Sequence, residues 1–408
     1  MPEKTPFFDR QLALCNSFAW KQWAGQLAVV SYATSHYSEY IALRHACGLL
    51  DVSPLYKYDI RGVDAAQFLS RSLTRSVSSL AVGRVVYTCW CTGDGRLVDD
   101  GTVTRLSETH FRLTAAEPSL VWFERLRGNL DVEIVDVSRT VAALALQGPT
   151  SAACLARLLA DDINSLRFFR AMQTSLADVP VTITRTGYTG DLGYEIWLPA
   201  EDAHKVWDAI LSEGRNVGLL PVGLAALDMA RVEAGYVMAG VDFHNARHCI
   251  VPSQTSSPFE LGLDWTVELD REPFVGQSAL RKERAAGSEW ALVGLDIAWD
   301  ELEALYEVHN LPPSIPAAAW RHSVPVFAGR AAAQVGYASS GTWSPLLKKN
   351  LALAHVRPSF AFEGTRLDFE VTVEHERHTV PATVVQRPFY NPPHAREARP
   401  LGTTGATE

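Results

Sequence analysis

Val181-Thr182-Ile183-Thr184, then Arg185-Thr186-Gly187-Tyr188-Thr189-Gly190-Asp191-Leu192-Gly193, then Tyr194-Glu195-Ile196-Trp197-Leu198 is the stretch that decides the fold. Its flanks read as strands and its glycines as a turn, so it predicts a hairpin with a connection of five to nine residues. The hairpin delivers an aromatic ring, Tyr188, and a carboxylate, Glu195, to one place. A second turn, Gly93-Asp94-Gly95-Arg96-Leu97-Val98-Asp99-Asp100, feeds paired aspartates into a strand. Alternation sends Asp99 and Asp100 to opposite faces, so only one can enter a site. A ring to stack on and a carboxylate that accepts two parallel N–H bonds suit a flat, amide-bearing heterocycle.

The pattern outward from this hairpin is mixed α and β. Val132–Val137 alternates at the strand period and Val141–Leu146 reads as a buried strand. Asp202 is placed to cap a helix bearing Val206, Trp207, Ile210 and Leu211 that ends at Gly214, and Asp64 to cap one bearing Phe68, Leu69 and Leu73. Strand–helix–strand units mixed with hairpins predict α+β layers of ferredoxin-like type. After about Gln277 the texture changes, and Val293–Ile297, Leu367–Val373 and Thr379–Val385 predict a smaller β-rich domain.

A chain of 408 residues is long enough for two or three domains. Its net charge of −9 gives no bulk attraction for nucleic acid or an anionic membrane. No apolar run approaches the ~20 residues of a membrane span, and Met1–Pro6 has no apolar signal core, so a cytoplasmic location is expected. The six cysteines include no C-x-x-C pair and read as reduced, mostly buried thiols. His244 and His248, four apart beside Cys249, lack a second ligand pair, and no metal is expected there. Trp20, Trp23 and Trp90 could wall a cationic methyl group, although three core tryptophans are the simpler reading.

Several segments together carry a resemblance: Leu50-Asp51-Val52-Ser53, Leu146-Gln147-Gly148-Pro149, Arg185–Gly190, Pro258-Phe259-Glu260-Leu261-Gly262-Leu263, Phe274-Val275-Gly276, Val335–Pro345 and Arg387-Pro388-Phe389-Tyr390. In this order the chain resembles, almost end to end, the aminomethyltransferase superfamily, which includes the glycine cleavage T-protein and folate-dependent demethylases. The resemblance implies two interwoven ferredoxin-like α+β domains and a C-terminal β-barrel, with folate in a central hole. It divides the chain into residues 1–282 and 283–400. The first part holds two subdomains, roughly 1–49 with 140–240 and 50–139 with 241–282, and a tail, 401–408, is expected to be disordered.

The resemblance also assigns the site. Asp100 is expected to face the bridge nitrogen of tetrahydrofolate and handle protons there, and Glu195 to bind the pterin edge. Tyr87, Tyr188 and Tyr236 are expected to line the same cavity. The departures concern the substrate side. An arginine usual in glycine-cleavage members is Leu227 here, a His-Met pair is Pro54-Leu55, followed by Tyr56 and Lys57, and an asparagine is Thr92. A charged contact is therefore expected to be lost. Asp242–Pro252 and Trp299–Pro325 look longer than a glycine-cleavage T-protein needs, and such loops are often lids or specificity elements.

The expected reaction is a tetrahydrofolate-dependent demethylation: an N-, O- or S-methyl group moves from a small-molecule donor to a folate ring nitrogen. Aminomethyl transfer from a lipoyl carrier protein is the alternative and is disfavoured by the lost residues. A non-catalytic folate-binding protein is a second alternative; its lysine-glycine-cysteine-tyrosine-type motif is missing from this sequence, and Asp100 is retained.

Overall fold

The computed structural model describes residues 1–329 and 333–397, so the expected tail 401–408 lies outside the described residues. The chain folds as α+β layers followed by a closed six-stranded barrel. In the first sheet the strands run Ala171–Leu176, Val179–Thr184, Gly193–Pro199, Val141–Gln147, Cys47–Asp51, Leu219–Pro221. Only the last neighbours are parallel. The deciding stretch is the predicted hairpin: Thr184 pairs with Glu195, and Glu195 in turn with Ala145.

A buried glutamine explains the glycines of that hairpin. The side-chain amide of Gln147 donates to the carbonyls of Thr186 (3.2 Å) and Tyr194 (3.3 Å), and its oxygen accepts from the Thr189 hydroxyl (3.0 Å). It passes so close that a Cβ at Gly187 or Gly193 would lie 1.9 or 2.2 Å from it. The loop can therefore wrap Gln147 only without side chains at those two positions. The amide in turn satisfies backbone groups that a buried loop would otherwise leave unpaired.

The second sheet has the order Val85–Cys91, Leu97–Ser107, His110–Ala115, Tyr56–Arg61, Glu133–Asp136, all antiparallel. Alternation acts here as expected. Asp99 is fully buried and accepts from the Glu117 amide (2.8 Å), whereas Asp100 opens onto the other face. Cys89 and Cys91 share one apolar cluster with Leu261, Leu263, Phe274 and Leu280, which packs residues after 237 onto this sheet.

The barrel runs Ala291–Ile297, Lys349–Val356, Gln334–Ser344, Val324–Phe327, Arg366–Val373, Glu376–Val385 and closes on its first strand. The helix Trp299–Glu307 packs Leu302, Leu305 and Tyr306 against its core. One ionic node joins barrel and first sheet. Arg44 and Glu233, both fully buried, pair at 2.6 Å. Glu233 also accepts from the hydroxyls of Tyr40 and the barrel's Ser344, each at 2.5 Å, while Arg44 donates to the Thr189 carbonyl of the glycine hairpin (2.8 Å).

The helix Ala203–Gly214 ends at the expected glycine, and a short 3-10 turn then leads to the left-handed Gly218 (φ +76°). Two local expectations are corrected. Asp64 and Asp202 occupy N-cap positions but make no side-chain cap bond; the Asp64 carboxylate accepts from the Asp131 amide instead (2.8 Å). The three tryptophans form no common wall. Trp90 is buried among Phe123 and neighbours, Trp20 packs on Phe8, and only Trp23 reaches the cavity described next.

Candidate functional site

A cavity of about 1850 Å³ lies between the two sheets, and all five sequence-predicted residues line it: Tyr87, Asp100, Tyr188, Glu195 and Tyr236. Tyr87 and Asp100 come from paired strands of the second sheet. The Tyr87 hydroxyl donates to Asp100 Oδ2 at 2.5 Å. Burial pushes the Asp100 carboxyl up to about 6, and the Tyr87 bond opposes the rise. Tyr87 itself is held well above the usual tyrosine range by burial and then by the Asp100 charge. At neutral pH Asp100 is thus an ionised carboxylate close to its titration point, the condition in which a side chain both takes and returns a proton.

Glu195 enters from the first sheet, on the strand that the glycine hairpin begins. Burial raises its pKa, opposed by a hydrogen bond from Thr186 and by the charge of Lys57. Tyr188 and Tyr236 stack with ring centroids 5.6 Å apart, and the Tyr188 hydroxyl donates to the Val237 carbonyl (2.5 Å), which fixes the ring. The cavity therefore offers a stacked aromatic pair, one carboxylate suited to a bidentate N–H edge and another suited to proton traffic.

Two further lining residues, Trp265 and Arg387, carried no role in the sequence reading. Trp265 stacks on Tyr87 (5.5 Å) and stays half exposed. Arg387 lines the cavity and donates to the carbonyls of Gly235 (3.3 Å) and Leu261 (3.2 Å); burial lowers its pKa to about 10. Its Arg-Pro-Phe-Tyr run was the available signal. Leu55 lines the wall, while Lys57 beside it is buried and donates to the Ser53 (2.9 Å) and Leu55 (2.6 Å) carbonyls. Burial lowers the Lys57 pKa to about 7. Trp23, Leu55, Leu224 and Leu227 belong to one apolar cluster that includes Tyr188, and all five face the cavity.

Leu227 itself turns hydrocarbon to the cavity. Arg321, from the long 299–325 segment, donates through Nε to Asp228 Oδ2 at 2.6 Å and lines the cavity. An arginine therefore meets this aspartate from a position 93 residues away. The other long segment behaves differently. Asp242 is buried and accepts from Arg231 (2.6 Å), Ser339 (2.6 Å) and Ser340 (2.7 Å), and His244, His248 and Cys249 do not line the cavity. Thr92 is a turn residue bonded to Asp94.

The architecture is one of mixed α+β layers with a C-terminal barrel, and the cavity lies between the layers. Residues 14–271 match the family described as "GCVT N-terminal domain", and residues 311–391 the "Glycine cleavage T-protein C-terminal barrel domain". An aminomethyltransferase of Geobacillus sp. is 34% identical over 86% of this chain and 89% of its own length. A trimethylamine-oxide aldolase of Ruegeria pomeroyi is 35% identical over 97% of this chain but only 48% of its own. The solved aminomethyltransferase T of Bartonella henselae superposes with a TM-score of 0.80 at 24% identity, covering 96% of this chain and 99% of that one. The chain belongs to the glycine cleavage T-protein (aminomethyltransferase) family, whose enzymes use tetrahydrofolate as one-carbon acceptor or donor. No described helix is long and apolar enough to cross a membrane.

Proposed function

We propose that this protein is a demethylase that moves a methyl group from a small molecule to tetrahydrofolate. The observation that carries the reading is the apolar wall of Trp23, Leu55, Leu224 and Leu227 beside Tyr188. It presents hydrocarbon and an indole face where a methyl-bearing donor would sit. The volume is compatible with the reading: typical ligand pockets hold roughly 300–1000 Å³, and about 1850 Å³ leaves room for a cofactor and a donor side by side. A relative named for trimethylamine oxide adds support for a methylated nitrogen compound as donor.

The residues present fit tetrahydrofolate. Glu195 and the Tyr188–Tyr236 pair would hold the pterin, and Arg387 is placed to serve the same molecule. When bound, tetrahydrofolate supplies the ring nitrogen that takes the one-carbon unit. As the donor's bond to its methyl carbon breaks, with the electron pair left on the donor's heteroatom, Asp100 would take the proton that the ring nitrogen gives up, and Tyr87 would hold the carboxylate in position for it. The remaining contribution is positional, since the walls confine donor and acceptor to one cavity and replace a bimolecular encounter.

A second reading, aminomethyl transfer from a lipoyl carrier protein, is favoured by one observation: Arg321 sets a guanidinium beside Asp228. Mass spectrometry of the folate product separates the two. Methyl-tetrahydrofolate from a panel of methylated amines, ethers and sulfonium compounds supports the demethylase. Methylene-tetrahydrofolate formed only with an aminomethylated lipoyl protein supports the alternative. Glu195→Gln is expected to weaken tetrahydrofolate binding by ~1–3 kcal/mol, the scale of one charge-assisted contact. Unchanged affinity would remove Glu195 from the site.

A further inference from the structure

We infer that Lys21 and Arg321 form a carboxylate subsite on the cavity wall beside Trp23 and Asp228. The inference rests on the small-donor reading above and names the donor's class: a methylated compound that also carries a carboxylate. Three segments distant in sequence build the wall. Lys21 and Trp23 lie on the strand Ala19–Trp23, and two residues along a strand return to the same face about 7 Å on. Both line the cavity, as do Asp228 and Arg321.

Arg321 is delivered by a specific packing device. Trp320 exchanges two backbone hydrogen bonds with Gly341 of the barrel (2.9 and 3.1 Å). Its indole covers that glycine so closely that a Cβ there would lie 2.3 Å from the ring. The missing side chain at Gly341 makes room for Trp320, and the next residue, Arg321, then points to Asp228.

The local charge is unbalanced. Asp228 is shared by Arg231 (2.8 Å) and Arg321 (2.6 Å), and Arg231 also pairs with Asp242 (2.6 Å). With Lys21 the group holds three cations and two carboxylates. Arg231 is fully buried between both carboxylates, so the uncompensated charge sits at the cavity surface, on Lys21 and the partly exposed Arg321. Among the described residues no hydrogen bond or ion pair engages the Lys21 ammonium. Burial, and then Arg321, lower its pKa against the opposing pull of Asp228. A partly desolvated ammonium without a partner is costly, and an incoming carboxylate removes the cost. Trp23, next on the same face, offers its ring to a methylated cationic nitrogen. The pair of features matches a short zwitterion.

A carboxylate can reach this wall from two sources, the donor or the glutamyl tail of folate, and two probe pairs distinguish them. Ligand-observed NMR titration compares N,N-dimethylglycine with N,N-dimethylethanolamine, and tetrahydrofolate with a tail-less tetrahydropterin. Wild type, Lys21→Met, Arg321→Gln, their combination and Arg321→Lys are used, each checked for an unchanged melting profile. The expected result is a preference of about tenfold or more for dimethylglycine in the wild type. It falls to near unity in the double variant and is partly kept by Arg321→Lys. If the variants instead weaken tetrahydrofolate and spare the pterin, the donor assignment is overturned and the carboxylate is the folate's. Equal affinity within both pairs overturns the subsite. Methyl product from uncharged donors without any carboxylate preference sinks the subsite and leaves the demethylase standing. Carboxylate preference without any methyl product does the reverse.

Discussion

Asp100→Asn removes one charge while keeping an oxygen to accept from Tyr87, and its consequence for stability can be worked from the cavity. Burial carries the Asp100 carboxyl from 3.8 to about 6 in the folded protein. The folded state therefore binds this proton more tightly than the unfolded chain. Between those two values the wild type loses stability as pH rises, because ionising Asp100 is harder in the fold than out of it. At 1.36 kcal/mol per decade the full loss is about 3 kcal/mol, and it is complete above pH ~6. Asp99, which burial and the Asp100 charge hold well above the carboxylate range, titrates with it, so the curve belongs to the pair. The asparagine variant should be the more stable protein by about 3 kcal/mol at pH 8, with the advantage vanishing toward pH 4. With ~2.1 cal/mol/K of unfolding entropy per residue, that is a rise of ~3 °C in melting temperature. The same variant should lose activity by roughly 10²–10⁴, the range for removing a proton-handling group. Urea unfolding at pH 4.5, 6 and 8, beside the turnover assay, tests both halves. A variant no more stable than wild type at pH 8, or equally stabilised at pH 4.5, would refute the claim that Asp100 is held as a desolvated charge.

Arg44→Met leaves the fully buried Glu233 carboxylate with only the hydroxyls of Tyr40 and Ser344 as partners, and the urea midpoint should fall by an amount equivalent to about 3–5 kcal/mol. A loss under 1 kcal/mol would mean that the node is dispensable. Gly341→Ala forces Trp320 off the barrel, because the added Cβ would lie 2.3 Å from its ring and 2.6 Å from the Leu351 carbonyl. A destabilisation of about 1–3 kcal/mol is expected, together with faster protease cleavage around residues 311–321. Unchanged stability and cleavage would show that the contact does not anchor the segment.

The hairpin and the paired aspartates were legible in sequence for one physical reason: both are local. Glycines at fixed offsets and the two-residue strand period are written along the chain, so the separation of Asp99 from Asp100 follows from alternation alone. The caps were not legible. Asp64 and Asp202 have the right residue type in the right place, yet their carboxylates are not bonded to the helices they precede; that of Asp64 instead serves the Asp131 amide. The three tryptophans look alike in sequence and differ by burial, which depends on the opposite layer. Arg321 was the least legible of all. Nothing between Asp228 and Arg321 marks them as neighbours, and the guanidinium that meets Asp228 comes from a segment that stood out in sequence only by its length.

The sequence by itself determined the α+β layers, the barrel, the family and five residues that line one cavity. These depend on local period, turn chemistry and colinear motifs, all of which survive without coordinates. Only the tertiary structure decided that Gln147 is the object the glycines wrap, that Arg44 and Glu233 fasten the hairpin to the barrel, and that Lys21 and Arg321 share one wall. These are long-range juxtapositions. They are set by which buried surfaces fit together, and side-chain packing between layers leaves no periodic trace in the chain that supplies it.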